Sequence, residues 1–376
     1  MKTVVLFSFH FYQSRRRAGF HWLCDAFREM GWQARFITVD FSLLSELRKD
    51  PRLQAGKAEG INRLSRIAPN LEVGVLKTAF HPVGNRRSLL GRLANAASAT
   101  YPGFRRGFAA RAATGADLVI VESAASLFLV PTIRRVTNAP IVYRVSDNIE
   151  AIRPVPALLA AERRAAAEVD AISLASEILA RRFRPIGAVQ IDPMGIDKTI
   201  FDAATTSPYP DNGRIRVINS GSSGLDAATL MSAARQFPDW DFYQFGKLKQ
   251  HVDGANIRQM GEVPFAELVP YVKFADIGFA PYLARPGFEY QAEHSNRLLQ
   301  YVYCGLPSVV PEQITSPGRP HFLGYRSGDA ESIAAALGAA HEFDRTRVPR
   351  DAVPTWSEVA VRIAATPRRG SRATAD

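Results

Sequence analysis

Short, strongly apolar runs alternate with stretches of helical period along almost the whole chain, and this alternation narrows the fold more than any other feature. The runs TVVLFSF (3–9), QARFITV (33–39), DLVIVE (117–122) and PIVYR (140–144), with others at 71–76, 170–174 and 188–191, are rich in β-branched residues. They lack the polar alternation of a strand with one wet face, so both faces must be covered. Helical periods fall between them, over 17–30, 88–113, 125–136, 156–168 and 176–184. The expected fold class is therefore α/β, with a doubly wound parallel sheet. A second series follows, with strands at 214–219, 241–245, 275–280 and 308–310 and helices near 226–236, 265–273, 295–304 and 329–341. Between the two series, 192–213 is rich in Pro, Asp, Thr and Gly and reads as a linker. We expect two Rossmann-like domains, 1–199 and 200–345, facing a cleft. The remainder, 346–376, should be a C-terminal helix packing back on the first domain, and a disordered tail. A chain of 376 residues exceeds one ordinary core, which agrees with two domains.

Charge distinguishes the two halves. Residues 1–110 hold 18 Lys+Arg against 7 Asp+Glu, a net of +11 that equals the net charge of the entire chain. Such asymmetry suits one domain facing an anionic partner, either nucleic acid or a membrane surface; a plain solvated basic face is the alternative. The two cysteines, Cys24 and Cys304, cannot build a disulfide framework, so a reducing, cytosolic compartment is expected. The opening residues read as a first strand, with no small-residue cleavage site after them, and no run approaches the ~18 apolar residues a spanning helix needs.

Ligands of doubly wound sheets bind at the carboxyl ends of the strands, and the polar residues there carry the chemistry. In SNRLLQYVYCGLPSVVP (295–311), Arg297 sits in the first turn of a helix, where the dipole favours anions. It is either a surface arginine or one that faces a bound phosphate. NSGSSGLDAATL (219–230) follows the first strand of the second series, and Gly221 and Gly224 would let backbone approach a ligand. In VYRVSDN (142–148), Asp147 lies just past a buried strand. It is either a base for an acceptor hydroxyl or a cap bracing Arg144. Arg15, Arg16 and Arg17 crowd a helix start, and Arg86, Arg87 and Arg92 mix with Leu89, Leu90 and Leu93. Both suit an anionic surface, or else a solvated turn and ordinary core leucines. DWD (239–241) resembles a metal-binding D-x-D but looks like a turn entering a strand, and the histidines have no ligand spacing.

HFYQSRRRAGFH, HPVGNRRSLL, VYRVSDN, MGIDKTIF, GEVPF, GFAPY and SNRLLQYVYCGLPSVVP follow one another along the chain, within a similarity that runs from residue 5 to about residue 340. In order and spacing they resemble the GumK-like glucuronosyltransferases of xanthan assembly. The resemblance implies a GT-B fold, with an acceptor- and membrane-facing first domain and a second domain binding a nucleotide sugar. It implies an inverting transferase moving glucuronic acid from a UDP donor to a polyprenyl-diphosphate-linked oligosaccharide. The enzyme would sit peripherally at the cytoplasmic face of the inner membrane, without a metal or other cofactor and without nucleic acid as a partner. The family's catalytic base falls at Asp147 and its diphosphate-binding cation at Arg297. Its further nucleotide contacts fall at Tyr282, Gln300 and Glu262. Asn296 and Ser223 stand where the family has Met, at positions lining the nucleotide pocket, and Gly221 belongs to the same turn as Ser223. Arg15, Arg16, Arg17, Arg86 and Arg87 fall on the acceptor and membrane side. The rival readings are a GT-B transferase with another donor, mannose or glucose, and a nicotinamide-dependent oxidoreductase. The last lacks G-x-G-x-x-G after its first strand.

Overall fold

The computed structural model describes residues 1–14, 17–47, 58–81, 96, 98, 100–101, 103, 106–152, 154–248 and 250–368. They divide into one unit of 1–193 with the segment from Trp356 onward, and a second of Met194–Thr355.

The first unit is built on an eight-stranded sheet: β1 (Thr3–Ser8), β2 (Gln33–Ser42), β3 (Ser65–Ala68), β4 (Leu71–Thr78), β5 (Leu118–Glu122), β6 (Ile141–Val145), β7 (Ala171–Leu174) and β8 (Val189–Ile191). Their order is β3-β4-β2-β1-β5-β6-β7-β8, parallel except for β3. Val4 to Phe7 and Leu118 to Val121 are almost wholly buried, as strands covered on both faces must be. The chain leaves β1 toward β2 on one side and resumes on the other side at β5, so the sheet's switch point lies between the ends of β1 and β5.

In the second unit β9 (Arg216–Asn219), β10 (Asp241–Phe245), β11 (Ile257–Gly261), β12 (Ile277–Phe279), β13 (Ser308–Pro311) and β14 (Phe322–Tyr325) form a parallel sheet ordered β11-β10-β9-β12-β13-β14. Its switch point lies between β9 and β12. The helices Ala227–Gln236 and Ala330–Glu342 cover one face with Leu230, Ile333 and Leu337. Phe265–Lys273 and Asn296–Tyr303 contribute Val269, Leu298 and Tyr301 to a separate core.

Two boundaries differ from the sequence reading. The segment 192–213 is no free linker: Asp197 caps a helix, Lys198–Ala203, whose Phe201 is buried in the second core. The first division therefore falls at 193/194 rather than 199/200. The second lies at 355/356 rather than 345/346, because Arg345–Arg347 and Arg350–Ala352 form short 3-10 turns whose neighbours Val348 and Val353 pack into the second core. The last helix, Trp356–Ala364, belongs to the first unit, where Gln190 Nε2 donates to Arg362 O at 3.2 Å.

Candidate active site

At the switch point of the second sheet, the turn after β9 and the long loop after β12 meet. Asp226 N donates to Pro281 O at 2.7 Å and Leu283 N to Gly224 O at 2.7 Å, tying the two loops together. Gly224 takes a φ of 66°, in the left-handed region that favours glycine. The helix Asn296–Tyr303 starts at the same place. Ser295 caps it by accepting from Leu298 N, and its hydroxyl also bonds Tyr282 Oη at 2.7 Å. Tyr301, on the helix's inner face, accepts from Ser220 N at 2.9 Å and donates to Ile218 O at 3.0 Å. Burial pushes its phenol up to about 12, so it stays a neutral clamp on the end of β9.

Arg297 is drawn into this assembly. It is only 8% exposed, and its guanidinium lies over the Tyr282 ring, 4.8 Å from the centroid. A Cβ on Gly221 would come within 2.9 Å of Nη2, so only a glycine leaves that approach open. Nη1 is buried with no hydrogen-bond partner. A buried cation with an unsatisfied donor is costly unless something anionic completes it. The guanidinium lies beside the glycine turn and belongs to the first turn of the helix, a setting in which an anionic phosphate can be held.

Beside the turn is a cavity of about 410 Å³ lined by Gln244, Gly246, Lys247, Leu248, Gln259, Gly261 and Glu262. Gly246, with a φ of 94°, lies so close to Ser222 that a Cβ would meet its backbone nitrogen at 2.8 Å. The structure thus brings together Gly221, Tyr282, Arg297 and the cavity bearing Glu262. Gln300 is half-buried one turn into the helix, while Asn296 and Ser223 are exposed at the helix start and on the turn. Lys247 and Gln244 had no motif to announce them; their only signal was position, at the carboxyl end of β10.

In the first unit Asp147 is half-buried, two residues beyond β6. Its neighbours are fixed: Ser146 N donates to Ser123 Oγ at 3.1 Å, and Asn148 Oδ1 accepts from Arg182 Nη1 at 2.9 Å. Arg144 bonds Ser173 Oγ, Asp192 O and Pro193 O, and burial lowers its guanidinium to about 10. Glu122, at the end of β5, escaped the sequence reading. It is 2% exposed and accepts hydrogen bonds from Ser8 Oγ, Ser146 Oγ and Phe9 N. Its signal was a carboxylate ending the apolar run DLVIVE.

Arg17 is engaged within the unit, paired with Asp25 and lying over the rings of Trp22 and Tyr12. Arg15, Arg16, Arg86, Arg87 and Arg92 lie outside the described residues. DWD sits at the amino end of β10, away from the switch point, where Asp241 pairs with Arg214 at 3.2 Å. Among the described residues, no group of three or more His, Cys, Asp or Glu is placed to hold a metal, and no helix is long and apolar enough to cross a membrane.

The sucrose-phosphate synthase of Thermosynechococcus elongatus has the same fold, at a TM-score of 0.66 and 15% identity, over 96% of this chain and 97% of that one. Anabaena HepE in complex with UDP-glucose matches at a TM-score of 0.61 and 14% identity, over 96% of this chain and 98% of that one. The fold is GT-B. A protein of Xanthomonas campestris pv. campestris named UDP-glucuronate:glycolipid 2-beta-glucuronosyltransferase is 28% identical over 363 residues, which is 96% of this chain and 88% of that protein. Residues 6–175 match the family described as glucuronosyltransferase GumK, N-terminal domain.

Proposed function

We propose that the chain is an inverting glycosyltransferase that moves glucuronic acid from UDP-glucuronate to a lipid-linked oligosaccharide. The observation that carries this reading is the buried, partly unsatisfied guanidinium of Arg297, set at a helix N-terminus against Gly221 and Tyr282. The diphosphate of a nucleotide sugar supplies the oxygens that this donor lacks. The cavity with Gln244, Lys247 and Glu262 is a place for the nucleoside. Support for the donor and the glycolipid acceptor comes from the name of the Xanthomonas relative, and support for a UDP-sugar from the HepE complex of the same fold.

In this reaction the acceptor hydroxyl gives its proton to the Asp147 carboxylate while its oxygen bonds to the anomeric carbon from the face opposite the leaving group. The bond from that carbon to the phosphate oxygen breaks, and its electron pair leaves on UDP. Arg297 and the dipole of its helix stabilise the charge that develops there, so no metal is assigned that task. A lipid-borne acceptor also calls for a peripheral enzyme. The net positive charge confined to residues 1–110 would hold the first unit to an anionic leaflet, at the cytoplasmic face of the inner membrane.

The test is turnover over a panel of UDP-glucuronate, UDP-glucose and GDP-mannose with a membrane extract as acceptor. Transfer from UDP-glucuronate is the expected result. A preference for GDP-mannose overturns the donor assignment.

A further inference from the structure

Glu122 is a buried carboxylate with no part in the reaction described above. It ends β5 at the switch point of the first sheet and joins the two loops on either side. One oxygen accepts from Ser8 Oγ and Phe9 N at the end of β1, and the other accepts from Ser146 Oγ at 2.8 Å. Ser146 immediately precedes Asp147. On the other side Ser123 Oγ, which accepts from Ser146 N, bonds Tyr143 Oη at 3.0 Å, and Tyr143 Oη donates to Glu162 at 2.7 Å. Glu162 pairs with Arg182, and Arg182 reaches back to Asn148, the residue after Asp147. A closed polar ring therefore holds both flanks of Asp147, with Glu122 at one end of it.

We propose that Glu122 is a positioning residue for Asp147, holding its turn through Ser146 and setting a second carboxylate against the base. The proposal rests on the reading of Asp147 as the base. Among the described residues, the donors that reach the Glu122 carboxylate are neutral, namely two hydroxyls and one backbone N–H. Asp147, among the same described residues, acts on it as a like charge. Arg144, its partner in register on β6, directs its guanidinium to Ser173, Asp192 and Pro193. His10, beyond β1, gives its backbone N–H to Ser8 Oγ. Glu162 and Arg182 are paired to each other.

Burial, with Asp147 adding to it, pushes the Glu122 carboxyl up to about 7 against the pull of its three donors. Two neighbouring carboxylates ionise in sequence. Loss of the Glu122 proton near 7 places a negative charge beside Asp147. A base raised in this way takes the acceptor's proton more readily.

The experiment is the pH profile of kcat/KM for acceptor in the parent, E122Q, S146A and D147N. The parent should rise in two steps on its acid side, the upper one near neutrality. E122Q mimics the protonated form, so it should match the parent within about twofold below pH ~6 and fall by roughly tenfold above pH ~8. Its upper step should vanish, with KM for UDP-glucuronate unchanged, because Arg297 and the cavity belong to the other unit. S146A keeps both carboxylates and frees the turn; it should retain the upper step and lose rate. A uniform loss in E122Q at every pH, or an upper step that survives in it, overturns the proposal. Parent rates in S146A overturn its positioning half, and S146A decides that half even if E122Q does not fold. Loss of turnover in D147N with an unchanged E122Q profile overturns this inference alone. Normal turnover in D147N removes the base itself and the inference with it.

Discussion

Arg297 and Asp147 are each defined by what surrounds them. Arg297 holds a donor with nothing to bind, so a ligand with phosphate should gain far more from it than one without. Arg297→Ala should weaken UDP by roughly 10–100-fold, the ~1.5–3 kcal/mol of a charge-assisted hydrogen bond, and leave uridine little changed; calorimetric titration with both ligands checks this. On the proposed role of Arg297 at the leaving group, transfer should also survive EDTA, and loss on chelation would contradict it. Asp147→Asn should lower kcat by ~10²–10⁴ with UDP affinity intact, the signature of a missing base. Glu122 adds a pH dependence of stability. Its folded-state value of about 7 lies above the ordinary 4.5, so between those two values the folded state holds a proton that the unfolded chain releases. Stability must therefore fall as pH rises from ~4.5 to ~7, by up to ~3 kcal/mol, and level off above. Urea unfolding at pH 5 and pH 8 should show the drop in the parent and a much smaller one in E122Q; equal drops would refute the assignment.

The helix Asn296–Tyr303 holds the candidate site together. Its Ser295 cap satisfies Leu298 N and fixes Tyr282, on whose ring Arg297 rests. Ser295→Ala should cost about 1 kcal/mol of stability, the usual effect of a lost cap. It should also weaken UDP binding, since the ring under the guanidinium is released. A variant that loses stability and binds UDP as the parent does would separate the two roles. Strands β3, β11 and β14 show why some elements could not be read. All three are edge strands, and β11 (IRQMG) is largely exposed after Ile257. A strand with wet faces carries no apolar run to announce it.

Over the whole chain, the proposed docking on an anionic membrane rests on the net charge of residues 1–110. Each Lys or Arg near an anionic leaflet contributes about 1 kcal/mol and is screened by salt. Replacing Arg86, Arg87 and Arg92 with Gln should reduce sedimentation with phosphatidylserine-containing liposomes at low salt. Donor hydrolysis should persist, because the residues assigned to the donor belong to the second unit. Equal pelleting of variant and parent at both low and high salt would remove this surface from the account.

Period and composition determined the two α/β sheets, because strands buried on both faces must be apolar and the helices between them must show a 3.6-residue stripe. They also placed Asp147 and Gly221 just past strand ends, where polar chemistry collects in such sheets, and Arg297 in the first turn of a helix. Folding alone decided what those residues meet. The spacing of 76 positions between Gly221 and Arg297 says nothing of a contact, yet the strand order sets β9 beside β12 and brings the guanidinium so close that a Cβ on Gly221 would collide with it. Lys198–Ala203 was hidden by a linker-like composition, and only the core that buries Phe201 makes it a helix. Glu122 read as the end of a strand until β1 and β6 came in on either side of it. Its burial, and the like charge of Asp147 beside it, exist only once three strands far apart in sequence lie side by side.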